Sequence, residues 1–197
     1  MAVKIFIDGQ AGTTGLRIHE RLADRNDLTM ITLTEETRKD PEARRAAILE
    51  SDVTFLCLPD DAALAGDADV RIIDASTAHR TNPDWAYGFP ELSPEHREKI
   101  RHSKRVAVPG CYASGFASLV YPMVHSGLLP KDYPVQCFAM SGYSGGGKKM
   151  IAEIESRPCS GTVQPPFLRS GKQSQAPAGN AEDLRSGKEA HVHPDCR

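Results

Sequence analysis

The sequence has no long apolar run, almost no charge imbalance and no paired cysteine motif. Its apolar runs are far shorter than the roughly 18 residues that a membrane-spanning helix needs. The start, MAVKIFIDG, has the pattern of a β-strand and is followed by no cleavage region. With 24 basic against 26 acidic side chains, nothing global attracts nucleic acid or an anionic membrane surface. We therefore predict a soluble, cytoplasmic protein that binds neither nucleic acid nor a membrane.

The five cysteines also exclude two kinds of site. They form no CxxC pair and their number is odd, so a disulfide framework is not expected. Cys159 and Cys196, together with His191 and His193, fit none of the usual zinc-ligand spacings. We predict no metal site.

Short β-rich runs alternate with helical runs through the first two thirds of the chain, which is typical of βαβ units and a parallel sheet. The predicted elements are strands over 3–7, 28–33, 53–58, 70–73, 105–108 and 135–140, and helices over 13–23, 41–49, 94–100 and from about 111. The sequence thus predicts an α/β Rossmann-type domain over residues 1–110. From residue 156 onward large apolar residues are few and no periodicity remains, so 156–197 is predicted to be an irregular tail.

A glycine motif, GxxGxxG, lies directly between the first strand and the first helix, with Gly9, Gly12 and Gly15 as its glycines. Such a turn brings the backbone close to a pyrophosphate, and the helix N-terminus favours the anion. Thr13 and Thr14 add hydroxyl donors. A glycine-rich turn without a ligand is the alternative.

The residues after the second strand bear on which dinucleotide would bind. An acidic residue there favours the ribose of NAD, whereas cations accommodate the 2'-phosphate of NADP. Glu35 and Glu36 are followed by Arg38 and Lys39. The two cations favour NADP, with solvated surface charges as the alternative.

A second glycine loop, Gly142–Lys149, differs by one residue from the phosphate-binding GxxxxGK[ST] pattern. Lys149 stands where a hydroxyl would bind Mg²⁺, and too little chain follows for a nucleotide-binding sheet. An NTPase site is therefore disfavoured.

Cys111 is the cysteine whose position suggests chemistry. It follows a predicted strand and Pro109-Gly110 and precedes a helix, whose N-terminal N–H groups stabilise a thiolate and can hold an oxyanion. No histidine is adjacent in sequence, so a buried cap thiol is the alternative.

Six motifs in order resemble the N-acetyl-gamma-glutamyl-phosphate reductase family in its shorter form (type 2), and they cover residues 1 to about 155. They are Asp8–Gly15, Phe55–Asp60, Ile73–Arg80, Tyr87–Leu92, Pro109–Ala113 and Ser141–Lys148. The resemblance implies an NADP-dependent oxidoreductase of arginine biosynthesis acting on a small molecule, N-acetylglutamyl phosphate. It also implies an incomplete α+β substrate domain, of which residues 111–155 form the start. Where that domain is complete, the resemblance implies a homo-oligomer.

The resemblance also assigns roles to residues. It implies that Cys111 is the nucleophile, attacking the acyl phosphate to give a thioester that hydride from NADPH then reduces. Ser76 and Arg80 are implied to bind substrate. The implied cofactor-binding residues are Gly9, Gly12, Thr13, Thr14, Gly15, Arg38, Lys39, Pro59, Ser144 and Gly145.

The chain departs from the family pattern in two places. Val108 stands where similar proteins have Asn before Pro-Gly-Cys, and the resemblance stops near Glu155, before the family's acid/base histidine. We treat His191-Val192-His193 as a coincidental likeness to that histidine's motif and hypothesise that 156–197 is not native family sequence. Two alternatives remain, an aspartate-semialdehyde dehydrogenase-like reductase and a non-catalytic NADP-binding remnant.

Overall fold

In the computed structural model, the chain divides into two units, Met1–Gly110 and Cys111–Arg197. The structure describes residues 2–58, 70–140, 145, 151–153, 155–156 and 168–171. The predicted sites at Pro59 and Ser144 lie outside these residues, as do most of the second glycine loop and the tail's cysteines and histidines.

The first unit contains a six-stranded sheet with the strand order β2-β1-β3-β4-β6-β5, in which every described pair is parallel. The strands are β1 (Val3–Asp8), β2 (Leu28–Ile31), β3 (Val53–Leu56), β4 (Arg71–Asp74), β5 (Ala86–Tyr87) and β6 (Arg105–Ala107). This order confirms the predicted Rossmann-type parallel sheet. β5 was not predicted, because a strand of two residues is too short to produce an alternating pattern.

Among its described residues, the first unit has three helices: α1 (Thr13–Leu22), α2 (Pro41–Glu50) and α3 (Pro94–His102). α2 and α3 each begin with a proline after a capping side chain. The Asp40 carboxylate accepts from the Glu42 N–H at 3.2 Å, and the Ser93 hydroxyl accepts from the His96 N–H at 3.3 Å.

Two groups of buried side chains form the core of this unit. Leu56, Ile72, Trp85 and Ala107 make one group, from strands β3, β4 and β6 and the segment before β5. The other group lies where α2 packs on β1, and its members are Phe6, Ala47 and Ile48. The second group therefore holds α2 against β1, the strand that leads into the glycine loop.

The second unit begins with α4 (Cys111–His125). A glycine follows this helix: Gly127 has φ +75° and donates its N–H to the Val124 carbonyl at 3.1 Å. Strand β7 (Cys137–Met140) pairs antiparallel with β8 (Leu168–Gly171). β8 corrects the expectation that 156–197 contains no regular structure, since a ladder uses backbone groups and needs no alternation of side chains.

Candidate active site

The glycine loop after β1 is packed so tightly that two of its glycines admit no side chain. Gly9 has φ +87°, and a Cβ there would lie 2.8 Å from the Cys57 carbonyl oxygen. A Cβ at Gly15 would overlap the Gly9 carbonyl oxygen and lie 2.8 Å from the Gln10 Cα. The Gly12 N–H donates to the Gly9 carbonyl at 2.9 Å and closes the turn. Glycine at positions 9 and 15 therefore allows the loop backbone to pack closely against its neighbours.

The helix that follows this loop presents its N-terminus without a capping side chain. Gly12 is the N-cap residue of α1, and no acidic residue lies in the first turn. Thr13 and Thr14 begin the helix, Thr13 half-buried and Thr14 exposed. The first N–H groups of a helix have no partner within it, so this end can hold an anion.

The sheet order gives the loop a position that favours ligand binding. β1 lies between β2 and β3, so the chain connections from β1 and β3 lead to opposite sides. In open parallel sheets, the crevice for a ligand forms at such a point, outside the carboxyl ends of the strands. Gly9 directly follows β1 at that end.

A part-buried ion pair fixes the residue in front of the loop. The Arg44 guanidinium on α2 donates through Nε to Asp8 Oδ1 at 3.0 Å and through Nη2 to Asp8 Oδ2 at 2.6 Å. The hydrogen bond to Asp8 raises the pKa of Arg44. Cys57, which directly follows β3, has its pKa raised to about 12, by burial first and then by the negative charges of Asp74 and Asp8. Cys57 is thus held as a neutral thiol.

The two cations predicted to select NADP lie in the segment after β2, and both are exposed. Arg38 donates through Nε to Glu35 Oε2 at 2.6 Å. The cation predicted to bind the 2'-phosphate is therefore paired with one of the two acids that would favour a ribose. The preference for NADP stays a prediction.

The turn after β4 carries the predicted substrate residues Ser76 and Arg80 around a buried carboxylate. Asp74, the last residue of β4, is completely buried. It accepts from the Ser76 N–H and the Ser76 hydroxyl, both at 2.8 Å, and its Oδ2 lies 2.6 Å from His79 Nδ1. Asp74 and His79 were not among the predicted site residues, although both lie in the motif Ile73–Arg80. The signal was an aspartate at a strand end followed two residues later by a serine, the pattern of an Asx-turn.

Arg80 connects this turn to the end of β6. Its Nε donates to the Val108 carbonyl at 2.9 Å and its Nη2 to the Ala75 carbonyl at 3.2 Å. The Val108 N–H in turn donates to the Asp74 carbonyl at 2.7 Å. Ser76 and Arg80 therefore lie in one hydrogen-bonded turn, as the motif that contains both suggested.

Cys111 is exposed and is the first residue of α4. No acidic residue lies in the first turn of this helix. Gly145, the one described residue of the second glycine loop, is exposed. The position of Cys111 agrees with the prediction of a thiol at a strand-to-helix turn, and its role as nucleophile stays a prediction.

The described part of the chain contains neither a cluster of metal ligands nor a membrane-spanning helix. Across those residues, no group of three or more His, Cys, Asp or Glu side chains could hold a metal ion. No helix among them is long and apolar enough to cross a membrane.

Family models match both units of the chain. Residues 40–100 match the semialdehyde dehydrogenase NAD binding domain, and residues 111–166 match the semialdehyde dehydrogenase dimerisation domain. Among solved structures, aspartate semialdehyde dehydrogenase II from Vibrio cholerae superposes with a TM-score of 0.59 at 17% identity, covering 91% of this chain and 58% of that one. The enzyme from Francisella tularensis superposes with a TM-score of 0.57 at 13% identity, covering 78% and 48%. The chain belongs to the semialdehyde dehydrogenase family.

Curated relatives within that family carry a more particular name. N-acetyl-gamma-glutamyl-phosphate reductase of Burkholderia ambifaria is 53% identical over 157 residues, which are 77% of this chain and 50% of that protein. The Brucella ovis reductase is 52% identical over 163 residues, covering 80% and 53%. N-acetyl-gamma-glutamyl-phosphate reductase 2 of Pseudomonas putida is 51% identical over 170 residues, covering 84% and 53%. These relatives confirm the resemblance that the motifs indicated, and the chain spans about half of their length.

Proposed function

We propose that this chain carries the cofactor-binding and thioester-forming parts of an NADPH-dependent reductase of arginine biosynthesis. The reaction is the reduction of N-acetyl-L-glutamyl 5-phosphate to N-acetyl-L-glutamate 5-semialdehyde. One observation carries the proposal: an exposed cysteine, Cys111, begins a helix in a chain that is 51–53% identical to reductases with that name.

The Cys111 thiolate attacks the acyl carbon of the substrate, a carbon–sulfur bond forms and the bond from that carbon to the phosphate oxygen breaks. Phosphate leaves and a thioester remains on the sulfur. The N–H groups at the start of α4 stabilise the thiolate and the oxyanion that forms during attack. NADPH, when bound, would supply the hydride that adds to the thioester carbon; the carbon–sulfur bond then breaks, which releases the aldehyde and regenerates the Cys111 thiolate.

The cofactor's pyrophosphate is assigned to the glycine loop, because this loop leads from the carboxyl end of β1 to the N-terminus of α1, which has no capping side chain and no acidic residue in its first turn. Thr13 and Thr14 would donate from the helix N-terminus. Arg38 and Lys39 would take the 2'-phosphate of NADP, which requires Arg38 to exchange Glu35 for the phosphate. The resemblance adds Pro59, Ser144 and Gly145 to the cofactor site.

The resemblance places Ser76 and Arg80 at the substrate site, where the Arg80 guanidinium would bind an anionic group of the substrate. We further propose a cytoplasmic location and, for the complete substrate domain, a homo-oligomer. The name of the second matched model, a dimerisation domain, supports the latter.

We also propose the domain limits 1–110 for the NADP-binding domain, 111–155 for the start of the substrate domain, and 156–197 as sequence foreign to the family. The division of the chain after Gly110 supports the first limit. The second family match extends to residue 166, so the limit at 155 needs its own test. Resequencing the gene across the Glu155 codon provides one: an intact frame shared with near relatives would contradict a foreign tail.

The activity test runs the reaction in reverse. N-acetylglutamate semialdehyde, phosphate and NADP are mixed with the purified chain, and NADPH is followed by its absorbance. We expect NADPH to form, Cys111→Ser to abolish it, and NADP binding measured by calorimetry to persist in that variant. Cys137→Ser, which changes a half-buried cysteine in β7, is the matched control and should retain turnover.

Two other results would support the alternative functions. NADPH formation with aspartate semialdehyde but not with the acetylated substrate would favour an aspartate-semialdehyde dehydrogenase-like reductase. NADP binding without turnover of either aldehyde would favour a non-catalytic remnant.

A further inference from the structure

Asp74 is a completely buried carboxylate at the end of β4, and its surroundings account for both of its oxygens. Oδ1 accepts the Ser76 N–H, while Oδ2 accepts the Ser76 hydroxyl and lies 2.6 Å from His79 Nδ1. A buried carboxylate is costly unless it is hydrogen-bonded in this way. Its bonds fix the backbone of the residues that follow it.

The hydroxyl of Ser76 is engaged on both sides. It donates to Asp74 Oδ2 at 2.8 Å and accepts from the Ala78 N–H at 3.2 Å. A serine hydroxyl has one hydrogen to donate, and here the carboxylate takes it. Ser76 is itself buried. The Ser76 side chain therefore stabilises the turn after β4.

His79 ties the same carboxylate to the core. Its ring stacks on the Trp85 ring with centroids 3.9 Å apart and planes 13° from parallel. Trp85 packs in the core group with Leu56, Ile72 and Ala107. The ring of His79 is thus held by a stack on one side and a carboxylate at its edge.

Arg80 extends from this turn and lies against the segment that leads to Cys111 in the sequence. It donates to the carbonyls of Val108 and Ala75, and a Cβ on Gly110 would lie 2.9 Å from its Nη1. A guanidinium has five N–H donors, and these two bonds leave it further donors for an anion.

We propose that Asp74 is a positioning residue for Arg80, and that Ser76 and His79 act on substrate binding through Asp74 instead of contacting the substrate. The inference rests on the proposed function in one respect, the assignment of Arg80 to the substrate. The Asp74 carboxylate fixes the turn 75–79, and the turn sets where the guanidinium stands.

The kinetic test uses Ser76→Ala, with Ser51→Ala as the matched control. Ser51 is also a buried serine, whose hydroxyl bonds to Ile48 and Thr54 away from this turn. In the reverse reaction, Ser76→Ala should raise the KM for phosphate by about tenfold with kcat changed less, while Ser51→Ala leaves KM unchanged. In an Arg80→Ala background, Ser76→Ala should then raise KM no further, because the two residues act in series. Full additivity would overturn the proposal.

A second measurement does not depend on activity. The Arg80 Nε–H bonded to Val108 should give a slowly exchanging signal in nitrogen-15 NMR spectra, identified by its loss in Arg80→Lys. In Ser76→Ala or Asp74→Asn, that signal should shift and exchange faster, and in Ser51→Ala it should not. An unchanged signal in both variants overturns the positioning role. If Asp74→Asn unfolds, an unchanged signal in Ser76→Ala alone overturns it. A chain without turnover but with the expected NMR changes would refute the proposed function and leave the positioning intact.

Discussion

Gly15 and Gly115 make a matched pair of helical glycines with opposite surroundings. Gly15 is buried in the first turn of α1, and its missing Cβ would overlap backbone of the glycine loop. Gly115 lies in α4, and nothing stands within 4 Å of a Cβ added there. Gly→Ala therefore adds the same methyl group at both positions, but it collides with the loop backbone only at Gly15.

The magnitudes follow from these contacts. In a helix, alanine is more stable than glycine by up to about 1 kcal/mol, which both variants gain. At Gly15 the new Cβ would lie 2.8 Å from the Gln10 Cα, whereas ordinary contact begins near 3.4 Å, so the loop backbone has to move. Overpacking that forces such backbone shifts costs about 1–3 kcal/mol. The two variants should thus differ in free energy of unfolding by about 1–3 kcal/mol, with Gly115→Ala the more stable.

The free energy of unfolding of both variants is measured by urea unfolding, with far-ultraviolet circular dichroism as the signal. Fluorescence of Trp85, the single tryptophan, follows the first unit separately. Gly15→Ala should also weaken NADP binding, because the loop assigned to the pyrophosphate has moved, and Gly115→Ala should leave it unchanged. Equal stability of the two variants, with equal NADP affinity, would refute the prediction that the loop backbone leaves no room for a side chain at Gly15.

Two further predictions concern the charges around the loop. Arg44→Met should destabilise the first unit by about 3 kcal/mol in urea unfolding, because it leaves the Asp8 carboxylate, only 4% exposed, without its main partner. Arg17→Met, which removes a 79% exposed partner from a surface pair, should cost less than about 1 kcal/mol, and equal costs would contradict the prediction. Because the folded chain holds the pKa of Cys57 near 12 against an ordinary 9.0, the unfolded chain loses this proton first, and stability falls as pH rises through that interval. Cys57→Ala should therefore lose less stability between pH 9 and 11 than the unmodified chain does, and parallel pH curves would argue against a buried neutral thiol.

The parallel sheet could be predicted from the sequence because its strands are long enough to show an apolar run and its helices have strong start signals. Asp40-Pro41 and Ser93-Pro94 each combine a capping side chain with a proline at the first helical position, and helices α2 and α3 begin there. Gly127 likewise ends α4 with a positive φ.

Contacts between residues far apart in sequence could not be predicted in the same way. Nothing in the letters around Asp8 indicates that its partner is Arg44, 36 positions away on another element. The bond from Arg80 to the Val108 carbonyl spans 28 positions and needs the pairing of β4 with β6. The Asp74–His79 contact is local, yet an aspartate at a strand end also suits a ligand, so the pattern alone did not distinguish support from binding.

The six-stranded sheet has short edges. β2 at one edge has four residues, and β5 at the other has two. An exposed edge strand is a template on which another chain can add a strand, and a short edge offers few unpaired N–H and C=O groups for this. The sheet of the first unit is therefore poorly suited to seed edge-to-edge aggregation.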